Sequence, residues 1–279
     1  MRIRLIEVPY VIGDDRHPAS RGPERYVEAG APELAGGAPV ERVERPGPFR
    51  DHLTASVAVS RRLARAVRRA VAAGEVPLVL AGSCDACLGV VSGLDDRRTG
   101  IVWVDAHADF NTPESSVTGF FPGMSLAVIT GDCHGELWGR VGGGAPIPQG
   151  RTLLVGTRDV DPAEQERLDR SPAQVVRWRD GEPESDVLAA LDRLAAATRD
   201  VYLHVDNDAF DPEVAPGTVD PPVPGGLSLE AMEELVRAVT ARFTVRAAAL
   251  TTYDPDRDRD GRTLRAGLSV IRLLAESSG

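Results

Sequence analysis

Apolar residues along the chain fall into two kinds of stretch. Short apolar runs at residues 3–7, 78–81, 100–105, 152–156, 201–206 and 247–251 have the length and β-branched content of buried strands. Between them, apolar positions recur at helical spacing over about 51–73, 126–130, 162–170, 184–197, 228–242 and 263–275. Pro162 after Asp161 suits a first helical turn, and Ser228 ahead of Glu230 and Glu233 gives another helix an acidic start. Buried strands alternating with helices predict an α/β fold with a parallel sheet, because parallel neighbours need long crossovers that cover both faces. Glycine and proline gather at 21–48, 142–150 and 214–226, which read as surface loops, and no internal repeat is visible. At 279 residues, one domain over 1–279 is expected.

Composition narrows the function classes. With 42% hydrophobic and 27% charged residues the chain can bury a core and is not a disordered segment. A net charge of -10, with arginines interspersed among acids, argues against nucleic acid as a partner. The densest basic stretch, Arg61, Arg62, Arg65, Arg68 and Arg69, lies on a predicted helix as a solvated face. No apolar core long enough for a signal peptide begins the chain and no later segment is apolar enough for a bilayer, so a cytoplasmic protein without membrane partners is expected. Three cysteines, Cys84, Cys87 and Cys133, do not make a disulfide framework in a chain of this length.

The chemistry lies at the ends of two predicted strands. Asp105-Ala106-His107-Ala108-Asp109 directly follows an apolar run, and a strand continued to its end would turn Asp105, His107 and Asp109 to one face. Asp206-Asn207-Asp208-Ala209-Phe210-Asp211-Pro212 ends another run, with Asp206 and Asp208 sharing a face. The carboxyl edge of an open α/β sheet is where ligands bind. Either motif alone can be a polar strand end. Together they put acids in a repulsion that bound cations relieve, and a cation pair lowers the pKa of a bridging water towards neutrality.

These motifs resemble the ureohydrolase family of arginase, agmatinase and formimidoylglutamase. Supporting matches, in the family's order, are Val8-Pro9-Tyr10, Arg21-Gly22-Pro23-Glu24, Gly156-Thr157-Arg158-Asp159-Val160-Asp161-Pro162 and Pro221-Pro222-Val223-Pro224-Gly225-Gly226-Leu227. The resemblance implies a three-layer αβα fold with a parallel eight-stranded sheet, two manganese ions, a small-molecule substrate and a homo-oligomer, trimer or hexamer. By position it makes Asp105 and Asp206 bridging ligands, assigns Asp109 to one metal, and assigns His107 with Asp208 to the other.

Several positions depart from the family's pattern. Ala81-Gly82-Ser83-Cys84-Asp85 stands where the family has Gly-Gly-Asp-His-Ser, so Cys84 falls on a metal-binding histidine. A thiolate there favours zinc or another softer ion over manganese; the alternative is a small buried cysteine beside a single ion. Cys84-Asp85-Ala86-Cys87 also spells CxxC, without the second pair that a structural zinc site needs. Pro122 replaces the family's proton-carrying histidine, and His204 and His134 are spare histidines that either take over that role or are structural. Thr252 stands at the acid that grips a guanidinium, a loss of about 1.5–3 kcal/mol for one charged hydrogen bond. Asn111 and Asp161 match residues that hold the amino-acid end of the substrate, although both types also serve as loop and cap residues.

The expected function is hydrolysis of a C–N bond other than a peptide bond by metal-activated hydroxide, with Asp109 positioning the water. The substrate expected is amino-acid-like with an amide, amidine, ureido or guanidino tail. The competing reading is a non-catalytic homologue that binds a ligand or partner; a deacylase-like hydrolase is supported by fold analogy only.

Overall fold

The structure is a computed structural model that describes residues 2–94, 96 and 98–277. Met1, Asp95, Arg97, Ser278 and Gly279, which the single-domain expectation over 1–279 includes, lie outside the described residues. The strands are β1 (Arg2–Val8), β2 (Val40–Arg42), β3 (Glu75–Ala81), β4 (Gly100–Val104), β5 (Thr152–Thr157), β6 (Gln174–Arg179), β7 (Glu182–Pro183), β8 (Asp200–Asp206) and β9 (Thr244–Thr251). They form one sheet in the order β2-β1-β3-β9-β8-β4-β5-β6-β7. Every pairing is parallel except that of β7 with β6. The sheet is thus eight parallel strands, as the resemblance implies, with a ninth two-residue antiparallel strand at one edge.

Alternation along the strands builds the layers. Leu78, Leu80, Val102, Val104, Leu203 and Val205 face one apolar cluster, and the helices Val187–Ala197, Leu229–Arg242 and Arg262–Glu276 pack there. Val79, Ile101, Trp103, Leu154 and Tyr202 face the other, under the helices His52–Ala72, Cys87–Leu94 and Ser125–Thr130. A strand buried on both faces reads as a continuous apolar run, which is why these strands are visible in the sequence. Helix starts follow local chemistry: the carboxylates of Asp51 and Asp186 and the hydroxyl of Ser228 accept from the backbone N–H three residues on.

Three features depart from the sequence-based expectation. Residues 21–48, expected as a surface loop, contain the helices Gly22–Glu28 and Ala31–Leu34 as well as β2; Pro23 and Pro32 sit in first helical turns, where proline is tolerated. The β6–β7 hairpin turns at Asp180-Gly181, both at positive φ (50° and 85°), as a tight two-residue turn requires. The helix Cys87–Leu94 has no polar face, since all but one of its residues are buried, so it carries no amphipathic period.

That helix approaches His52–Ala72 closely through glycines one turn apart. A Cβ at Gly89 would lie 2.8 Å from the Leu63 side chain, and one at Gly93 2.5 Å from Val67 Cβ. In an open helix, glycine to alanine stabilises by about 1 kcal/mol. Here Gly93→Ala is expected to destabilise by about 1–3 kcal/mol through overpacking, measured as a lower urea midpoint at unchanged slope.

Candidate metal centre

The carboxyl ends of the four adjacent central strands, β3, β9, β8 and β4, supply the site. Cys84 opens the single 3-10 turn that follows β3, Asp206 ends β8, Thr251 ends β9, and Asp105 follows β4. β4 stops at Val104, so a continued strand is not what gathers Asp105, His107 and Asp109. The chain turns instead: the Asp105 carboxylate accepts from His107 N (2.7 Å), and Ala106 N donates to Asp208 Oδ1 (3.2 Å). Asp109 adopts left-handed φ (48°), and its carbonyl accepts from Leu126 N and Ala127 N at the start of the helix Ser125–Thr130. Thr252 is also left-handed (66°), which is costly for a β-branched residue. Such strain concentrates at functional sites.

Two groups of donor atoms result, each with all its atoms within 4.8 Å of one another. One is Cys84, Asp105, His204 and Asp206; the other is Asp105, His107 and Asp208. Asp105 belongs to both. Cys84 Sγ lies 2.9 Å from Asp206 Oδ2, and His107 Nδ1 lies 3.1 Å from Asp208 Oδ2 and 3.4 Å from Asp105 Oδ1. Asp109 stands beside the first group on the wall of a 160 Å³ cavity. No arginine forms an ion pair with Asp105, Asp109, Asp206 or Asp208 among the described residues. Asp109 Oδ2 is buried with no hydrogen-bond partner among the described residues, and Asp208 Oδ2 faces only the His107 ring. Four converging buried carboxylates suit divalent cations, which would satisfy the orphaned atom and offset the repulsion.

The electrostatics carry the same imprint. Burial, then the neighbouring Asp208, raises Asp105 to about 7. Burial and adjacent carboxylates also push Asp109 and Asp206 well above the usual range. Asp208 is held at about 2: burial opposes its charge, but the charge and hydrogen bond of the protonated His107 ring outweigh it.

The remaining candidates divide. Asn111 Nδ2 donates to Asp161 Oδ2 (3.2 Å) on the cavity wall, so that pair is brought together. Thr252 lines the same cavity, and its hydroxyl donates to Asp206 Oδ1. Pro122 is also in the wall. His204 has no exposed surface and lies beneath the carboxylates outside the cavity lining. His134 packs edge-on against Phe121 in an adjoining 810 Å³ cavity.

Sequence reasoning missed Glu164 and Asp220, both on the cavity wall. Glu164 accepts from Phe110 N (2.7 Å), and burial raises it to about 7. An acid in a first helical turn is also ordinary helix chemistry, so the sequence holds no distinguishing signal. Arg158, quoted only within a motif, donates to the carbonyls of Asp208, Phe210 and Val223, while Asp211 accepts from Gly225 N and Gly226 N. These bonds clamp the proline-rich loop beside Asp208.

Raised carboxylates make a stability prediction for protein stripped of cations. A carboxyl whose folded pKa lies above its unfolded value stabilises while protonated, and that contribution disappears as pH rises through the folded pKa. For Asp105 the window runs from about 4 to about 7. The melting temperature of chelated protein should therefore fall between about pH 4 and pH 7, by several degrees. Asp206→Asn or added divalent cation should flatten that fall in differential scanning fluorimetry.

Comparison with known proteins agrees with this architecture. A profile described as the arginase family matches residues 1–275. Arginase from Bacillus caldovelox is 28% identical, covering 98% of this chain and 97% of its own length. Arginase from Coccidioides immitis (strain RS) is 31% identical over 77% of this chain and 71% of its own. The solved structure of the Bacillus caldovelox arginase superposes with a TM-score of 0.87 at 26% identity, covering 98% of this chain and 97% of that one. The chain belongs to the arginase family.

Proposed function

We propose that the protein hydrolyses a C–N bond other than a peptide bond in a small amino-acid-like compound, using two divalent cations. The observation that carries this reading is the pair of donor groups sharing Asp105 beside a cavity into which Asp109 faces. Cys84, Asp105 and Asp206 would hold one cation, with Asp109 beside it, and Asp105, His107 and Asp208 would hold the other. Bound cations supply the positive charge that makes water acidic near neutral pH and stabilises a developing oxyanion.

The protein's own residues would do the rest. Asp109, with Oδ2 free of hydrogen bonds and kept ionised by the bound cations, would orient the attacking water and accept its proton at that oxygen. Asn111 and Asp161, already bonded to each other, would hold the polar end of the substrate. The Thr252 hydroxyl is committed to Asp206, so a guanidinium finds no carboxylate at that position. A neutral amide or ureido tail suits this wall better than a cationic guanidino or amidino group. Pro122 has no proton to give, and buried His204 does not reach the cavity, so the leaving amine would be protonated by Asp109 or by solvent. Assembly as a trimer or hexamer and a cytoplasmic location are proposed on family resemblance. Among the described residues, no helix is long and apolar enough to cross a membrane.

The test is turnover by cation-loaded protein on a panel of guanidines, amidines, carbamoyl compounds and N-acyl amines. We expect release of urea or ammonia, or of a carboxylate product, from at least one class. Asp109→Asn should lower kcat by at least about 100-fold at saturating cation. A protein that holds two cations and turns over nothing on the panel would contradict the proposal and favour a ligand-binding homologue.

A further inference from the structure

His204 is too elaborately held to be filler. Its ring stacks on Trp103 with centroids 3.6 Å apart and planes 4° from parallel. The two residues are direct partners across β4 and β8, so the stack is built into the sheet register. Nδ1 lies 2.8 Å from the Tyr202 hydroxyl, whereas Nε2 has only a long 3.4 Å approach to Thr251 Oγ1. That threonine oxygen is itself 3.1 Å from Asp206 Oδ2 and 3.6 Å from Cys84 Sγ. With Nδ1–H donated to Tyr202, the Nε2 lone pair faces the thiol and the carboxylates. A metal-ligating histidine commonly shows this arrangement, one nitrogen fixed by an outer partner and the other left for the ion. Trp103 Nε1 gives Asp105 Oδ2 the same outer support at 3.0 Å.

We propose that Cys84, Asp105, His204 and Asp206 form a zinc-selective position with His204 Nε2 as a ligand, so that the two cation positions differ in chemistry. This rests on the two-cation reading above. One thiolate, one imidazole and two carboxylates make a four-donor set of the kind that closes around tetrahedral zinc, and sulfur disfavours manganese. The outer group, Asp105, His107 and Asp208, offers only nitrogen and oxygen from three residues. It keeps room for exchangeable ligands and tolerates a harder ion. The inner ion should therefore survive dialysis against a chelator that removes the outer one.

The experiment uses the full chain, stripped of metal and titrated with cobalt(II) and, separately, with mixed zinc and manganese. The first equivalent of cobalt should give a near-ultraviolet thiolate-to-metal charge-transfer band, and Cys84→Ser should abolish it. His204→Gln should keep the band but weaken zinc by at least about tenfold, and elemental analysis should show the preference for zinc over manganese falling in both variants. Zinc X-ray absorption of the wild-type protein should show one sulfur at about 2.3 Å, which decides the matter if a variant fails to fold. Two ions bound without a charge-transfer band or a sulfur neighbour, or zinc affinity indifferent to His204→Gln, would overturn the proposal while leaving the two-cation reading intact. No cation bound at all would overturn both.

Discussion

Four carboxylates, Asp105, Asp109, Asp206 and Asp208, converge below the surface at the centre of the sheet, and no arginine pairs with them among the described residues. Nothing in a folded protein tolerates that arrangement at neutral pH without compensation, because desolvation and mutual repulsion both oppose the charged forms. Protonation is one release, and the upward displacement of Asp105, Asp109 and Asp206 measures the pressure towards it. Divalent cations are the other. The rest of the site is arranged around this constraint: His107 offsets Asp208, Thr252 and Thr251 donate to Asp206, and Trp103 donates to Asp105.

The scaffold makes such a concentration of acids possible by distributing the cost. β3, β9, β8 and β4 are adjacent and buried on both faces, so their ends are held by packed apolar layers rather than by the site itself. Irregular backbone is confined to the few residues beyond those ends. Asp109 is held left-handed by two N–H donors from a helix start, and the Asp208 turn is clamped by Arg158. A rigid sheet therefore carries a strained rim, a division seen where binding groups must keep their positions without substrate.

The central strands and the long helices were legible in the sequence because burial on two faces, or on one helical stripe, leaves a periodic trace. The elements that escaped left none. β2 is a three-residue edge strand, and the helix Cys87–Leu94 is apolar all round. The donor residues were legible as types and spacings, but the mechanism of their convergence was not. It depends on left-handed φ at Asp109 and on a 3-10 turn at Asn207–Ala209, neither of which alternation along a strand anticipates. His204 illustrates the same limit. It stands two residues before Asp206 and so shares that residue's face, yet only the stack on Trp103 and the bond to Tyr202 reveal that it lies under the carboxylates rather than in the cavity. Glu164 and Asp220 come from a helix start and a proline-rich loop, where acids are unremarkable.

Anomalous-difference density from crystals grown with divalent ions shows whether these carboxylates gather around shared cations. Two peaks are expected, one on each side of Asp105 and about 3.5–4 Å apart. Density without peaks, with the carboxylates sharing protons or drawn onto arginines, would contradict this arrangement.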